Sequence, residues 1–171
     1  MEQHGIAWNL ASVPKRGDRM RRVLGLRCSN SDYSFAVVEG ERRQPRLITS
    51  DSVRFPQGFS RAQCLNWFVS EIEGIISRHT IAALAIKGAE GLASRGRSFV
   101  ERIENEAAAI IAATNSGLRK VPRKTKSSIA KDLGLKGRPK YLADLDTTPL
   151  DGYGGLTEKI REAVLVAWSE L

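Results

Sequence analysis

The spacing of apolar and polar positions changes several times along the chain, and each change marks an element. Arg21 to Asn30 carries a continuous apolar stretch into a polar turn, and Tyr33 to Gly40 carries another, so two strands are predicted near 22–27 and 33–39. A third strand is expected over Arg46 to Phe55, ended by Pro56. The period then lengthens. Cys64, Trp67, Phe68, Ile72, Ile75 and Ile76 recur at helical spacing behind Ser60, a good N-cap, and predict a helix over 61–78. His79 and Thr80 lead into the apolar run Ile81 to Ile86, which suits a central strand buried on both faces. After a loop punctuated by Gly88, Gly91 and Gly96, Ser98 and Glu101 have the spacing of a capping box for a helix over 99–114, with Gly117 as its terminator. Leu118 to Val121 is the expected fifth strand, stopped by Pro122. A short basic helix over 125–133, a turn-rich stretch over 139–155 and a last helix over 156–170 complete the series.

An antiparallel meander followed by alternating strands and helices predicts an α/β sandwich of three layers with a mixed sheet. Residues 1–20 show no periodicity and are expected to form a flexible arm, with Trp8 and Leu10 as docking residues, ahead of one domain over 21–171. The length of 171 residues suits a single core, and no apolar run reaches the roughly 18–20 residues of a membrane span. With no apolar segment of the secretory kind near the N-terminus, a cytoplasmic location is expected. Cys28 and Cys64 lie in apolar-patterned segments and are expected to be buried thiols.

Charge sharpens the picture. The chain carries 27 Lys and Arg against 19 Asp and Glu, a net charge of +8. The whole excess falls in one window: Arg119, Lys120, Arg123, Lys124, Lys126, Lys131, Lys136, Arg138 and Lys140 stand against a single acid, Asp132. Such a window is either an electrostatic footprint for a polyanion or a solvated basic loop. Arg95, Arg97 and Arg102 are secondary contributors on the footprint reading. Thr125 to Ser128 admits two readings as well, a phosphate contact at a helix N-terminus or a plain N-cap. No aromatic residue interleaves the window except Tyr141 at its edge, which gives base stacking little support.

The strand order, the opening strand–turn–strand and the small-and-aliphatic final helix Glu162-Ala163-Val164-Leu165-Val166-Ala167 resemble the RNase H-like fold, most closely its RuvC-type resolvase branch. The resemblance implies an RNase H-like three-layer α/β/α architecture with a five-stranded mixed sheet. It also implies a two-metal site built from acids at the end of the first strand, the end of the fourth strand and the last helix. Those positions fall on Arg27, Lys87 and Glu162. Only Glu162 keeps a negative charge. A guanidinium and an ammonium cannot ligate Mg²⁺, so the expectation is a degenerate site with no catalytic residue, no metal and no cofactor, in which Arg27 or Lys87 pairs with Glu162. A site rebuilt from displaced acids such as Asp32, Glu90 and Glu162 is the rival, with Asp144, Asp146 and Asp151 also available.

Other chemistries lack material. His4 and His79 are the two histidines, and Gly88-Ala89-Glu90-Gly91 is not followed by the Lys-Ser or Lys-Thr of a phosphate loop. The expected function is therefore a non-enzymatic RuvC-like domain that binds the phosphate backbone of nucleic acid, DNA rather than RNA, or that supports a larger complex. The alternatives are an active metal-dependent endonuclease or resolvase, and a protein-interaction subunit whose basic segment docks an acidic partner. The resolvase resemblance implies a homodimer.

Overall fold

The computed structural model describes residues 20–91 and 96–171. The flexible arm expected over 1–20 lies, but for Met20, outside the described residues, as do His4 and Arg95. The chain folds in the order β1 (Arg22–Cys28), β2 (Asp32–Glu41), β3 (Gln44–Arg54), α1 (Arg61–His79), β4 (Ala83–Lys87), α2 (Arg97–Asn115), β5 (Arg123–Lys124), α3 (Lys126–Asp132) and α4 (Glu158–Trp168), with two short 3₁₀ turns between α3 and α4. The five strands form one sheet in the order β3-β2-β1-β4-β5. β1, β2 and β3 pair antiparallel, while β4 pairs parallel with β1, and β5 parallel with β4. The mixed sheet and the expected α/β architecture are both present.

The sheet separates two cores, and strand parity assigns each residue to one of them. Leu24, Leu26 and Cys28 of β1 and Leu84 and Ile86 of β4 pack with Phe68, Ile72, Ile75 and Ile76 of α1 and the alanines of α2. Val23 of β1 and Ala85 of β4 face the other way, against Ala163, Val164 and Ala167 of α4. Gly25, Arg27 and Lys87 share the parity of that second set, so the cationic positions fall on the α4 side. Gly25 is required there: a Cβ at this position would lie 2.0 Å from the Ala163 carbonyl oxygen. α4 thus rests on the backbone of β1 as closely as sterics allow.

The helix ends follow the sequence in one case and depart from it in another. Ser60 caps α1 as expected, its side chain accepting from Gln63 N while Gln63 returns a bond to the Ser60 N–H. α2 instead starts at Arg97 behind Gly96, with no side-chain cap bond, so Ser98 sits inside the first turn. The fifth strand is displaced too. It lies after Pro122, at Arg123–Lys124, and not over 118–121. Proline is tolerated there because β5 is an edge strand and Pro122 contributes its carbonyl, which accepts from Ile86 N at 2.9 Å. No helix among the described residues is long and apolar enough to cross a membrane.

Candidate functional site

β1 and β4 run parallel with Leu26 opposite Ile86, so their C-terminal ends bring Arg27 and Lys87 out at the same edge, beneath the first turns of α4. The Arg27 Nε donates to Glu162 Oε2 at 3.1 Å, the first of the expected ion pairs. The second partner of Glu162 is not Lys87 but Lys126, whose Nζ lies 3.0 Å from Oε1 and 3.5 Å from Glu158. Glu162 is largely enclosed, 14% exposed. Burial alone would raise its pKa, yet the Lys126 hydrogen bond, the Lys87 and Lys126 charges and the Arg27 hydrogen bond outweigh it and hold the carboxyl below its ordinary value. The carboxylate stays ionised.

Lys87 is buried and turns elsewhere. Its Nζ donates to the Gly88 carbonyl at 2.7 Å and pairs with Glu90 Oε1 at 2.7 Å. Glu90 also accepts the Lys126 N–H at 3.0 Å. On the other side of Arg27, Asp32 accepts from Lys159 at 2.6 Å and from Ser29 Oγ at 2.9 Å. Each carboxylate at this edge is therefore matched to a cation.

The basic window divides into two kinds of residue. Arg123, Lys124 and Lys126 are structural. Arg123 makes two bonds to Glu106, which is buried within α2 and also held by Arg102. Lys124 is 8% exposed; its ammonium reaches Asp132 at 2.8 Å, Ser169 Oγ at 3.0 Å and Glu170, and so joins β5 to α3 and to the end of α4. As members of the expected phosphate-binding window, Arg123, Lys124 and Lys126 should be exposed; Arg123 is, but Lys124 is buried because strand parity turns it into the core, and Lys126 is half-buried against Glu162. Arg119, Lys120, Lys131, Lys136, Arg138 and Lys140 are exposed. Lys136 and Lys140 lie 5.5 and 5.0 Å from the Tyr141 ring centroid. Arg97 is 92% exposed and pairs with Glu101, whereas Arg102 is tied into the sheet end through Glu106 and the Lys87 carbonyl.

Sequence reasoning missed Lys126 as a pocket residue, along with Lys159 and Glu106. No local signal marks the first: Lys126 is placed by β5, a two-residue strand paired parallel with the end of β4, and α3 opens directly behind it. Of the other acids, Asp146 bonds the N–H and hydroxyl of Thr148 within its own turn, while Asp144 and Asp151 are exposed.

The donor set does not fit divalent metal as arranged. Two of the three topological positions present cations, and the acids nearby, Asp32, Glu90 and Glu162, are each taken up by lysine or arginine. Among the described residues no group of three or more His, Cys, Asp or Glu is placed to hold a metal ion.

No protein-family model and no curated protein sequence matches the chain. Solved structures do. A RuvC from Thermus thermophilus superposes with a TM-score of 0.69 at 14% identity, over 86% of this chain and 92% of that one. The same protein in complex with a Holliday junction substrate gives 0.63 at 15% identity, over 87% and 91%. The yeast mitochondrial Holliday junction resolvase Ydc2 gives 0.60 at 10% identity, over 87% and 77%. The fold is the RNase H-like fold in its RuvC-type arrangement. These comparisons correct one expectation. A non-enzymatic role was inferred from the cations at Arg27 and Lys87, but the solved proteins of this fold include a resolvase and a RuvC with its substrate. Cations at Arg27 and Lys87 do not by themselves define a protein without activity.

Proposed function

We propose that this chain is a RuvC-like DNA-processing protein that grips the phosphate backbone of branched duplex DNA. The observation that carries this reading is the coincidence of a RuvC-type fold with a run of exposed cations, Arg119, Lys120, Lys131, Lys136, Arg138 and Lys140. None of these six cations is ion-paired among the described residues, whereas the charges at the sheet end are matched to one another. Phosphate contacts of this kind position a duplex without reading its bases. The Holliday junction held by the similar RuvC structure favours a branched DNA over RNA.

A second reading, strand cleavage of the bound junction, is favoured by the resolvases among the similar structures. It requires Asp32, Glu90 and Glu162 to exchange lysine and arginine partners for metal, a rearrangement this structure does not display.

Both readings are tested in one set of samples. A four-way junction, a linear duplex and a single strand are titrated with protein at several salt concentrations, with and without Mg²⁺ or Mn²⁺, and both binding and strand scission are scored. Junction and duplex should bind ahead of single strand, with log K falling linearly against log salt at about 0.9 per phosphate engaged. Absence of binding at low salt would overturn the DNA reading and leave an acidic protein partner. Metal-dependent scission that is lost on Glu162→Ala and on Asp32→Asn establishes cleavage; intact strands under every condition remove it.

A further inference from the structure

We infer that the end of β4 holds a site for one backbone phosphate, centred on Lys87, and that Glu90 is the chain's own displaceable occupant of it. The identity of the ligand rests on the DNA-binding reading above. Lys87 ends β4 and is 2% exposed, and its ammonium meets the Gly88 carbonyl and Glu90 Oε1, each at 2.7 Å. The same Glu90 oxygen accepts the Lys126 N–H at 3.0 Å. One carboxylate oxygen therefore collects both a buried ammonium and a backbone N–H, which is the pattern of an anion site filled from within.

Position decides which carboxylate at this edge can leave. Glu162 is fixed between Arg27 and Lys126 on a helix that Gly25 seats directly on β1. Glu90 is 45% exposed and sits on the loop between Gly88 and Gly91. Among the described residues, a Cβ at Gly91 would meet nothing within 4 Å, and one at Gly88 nothing closer than 3.8 Å. A groove of about 320 Å³ runs alongside the loop and gives an incoming group somewhere to approach; its charged lining residues are Glu90, Glu106, Arg123 and Lys124, with Glu106 already bonded to Arg123 and Arg102.

Charge conservation favours the exchange. Removing Glu90 alone would leave a buried ammonium uncompensated, which is costly. A phosphodiester brings one negative charge of its own, so Lys87 stays neutralised throughout while the carboxylate moves into water.

The experiment compares wild type, Glu90→Gln, Lys87→Met and the double variant, with Glu71→Gln on the exposed face of α1 as a control for lost negative charge. Lys87→Met keeps the buried aliphatic stem, and thermal melts confirm that each variant is folded. On a short duplex at low salt, Glu90→Gln should bind about tenfold more tightly than wild type, Glu71→Gln less than twofold, and the gain should vanish in the double variant. Inorganic phosphate, followed by the Lys126 amide resonance, should saturate Glu90→Gln at lower concentration than wild type. A gain no larger than that of Glu71→Gln, a gain that survives Lys87→Met, or equal phosphate saturation overturns the inference. If phosphate saturates Glu90→Gln while no variant binds duplex, the site stands and the DNA reading fails. If all variants bind duplex alike, the DNA reading stands and the site fails.

Discussion

Gly25 and Ala163 touch through their backbones. The Ala163 carbonyl oxygen occupies the space in which any Cβ on Gly25 would have to lie, at 2.0 Å. This contact sets the distance from α4 to β1, and with it the reach from Glu162, one residue before Ala163, to Arg27, two residues beyond Gly25. Gly25→Ala should therefore push α4 off the sheet. The obstruction is main chain on both sides, so the expected loss is about 3 kcal/mol or more, at the upper end for overpacking. Denaturant unfolding of the variant checks it; an unchanged midpoint would show that α4 does not rest on β1.

Glu162 should contribute stability that depends on pH in a defined direction. Its carboxyl is held below the ordinary value, so its contribution is fully present above the unfolded-state pKa of about 4.3 and is lost as pH falls through the folded value. Glu162→Gln leaves Arg27 and Lys126 without their shared anion and should cost about 2–4 kcal/mol at pH 7. The gap between wild type and variant should begin to narrow as pH falls below the unfolded-state value of about 4.3 and should close once the folded-state carboxyl is protonated. Urea midpoints measured across that range decide it, and a gap that persists at low pH would show that the carboxylate is not the stabilising species.

The basic window should separate into two phenotypes. Lys124→Ala removes the buried ammonium from Asp132, Glu170 and Ser169, and should cost about 3 kcal/mol. Replacing Lys131, Lys136 and Arg138 together with Ala should leave the melting temperature nearly unchanged, since these side chains are exposed. The same triple variant should flatten the salt dependence of duplex binding by at most about 2.7, three phosphates at about 0.9 each. Calorimetry and a salt titration of both variants test the division. Equal duplex affinity for wild type and the triple variant would take these residues out of the binding surface.

The two cysteines should differ in reactivity. Burial, helped by the Glu106 charge, pushes the Cys28 thiol up to about 12, and its side chain has no access to solvent. Cys64 is half-buried, with its Sγ 3.9 Å from the Pro56 carbonyl. A thiol reagent at neutral pH should modify one cysteine in the native protein and both in denaturant. Rapid labelling of Cys28 in native conditions would contradict the packing of β1 against α1 and α2.

Much of this fold is written locally. The change from a period of two to a period of 3.6 places β1, β2, β3, α1, β4, α2 and α4 within a few residues of their ends, and Ser60 with Gln63 marks the start of α1. Strand parity puts Arg27 and Lys87 on the same side of the sheet, but the pairing of Arg27 with Glu162 across 135 residues was legible only through the resemblance to the RuvC-type fold. What periodicity does not carry is the register between distant elements. Lys126 rather than Lys87 completes the Glu162 pair, Lys87 turns to Glu90, and Lys124 is drawn inside, because the two-residue strand β5 aligns Lys124 with Lys87 and starts α3 immediately beyond it. So short a strand has no period of its own to read. Its position comes from hydrogen bonds to β4, and the charge pattern of the sheet end follows from that position.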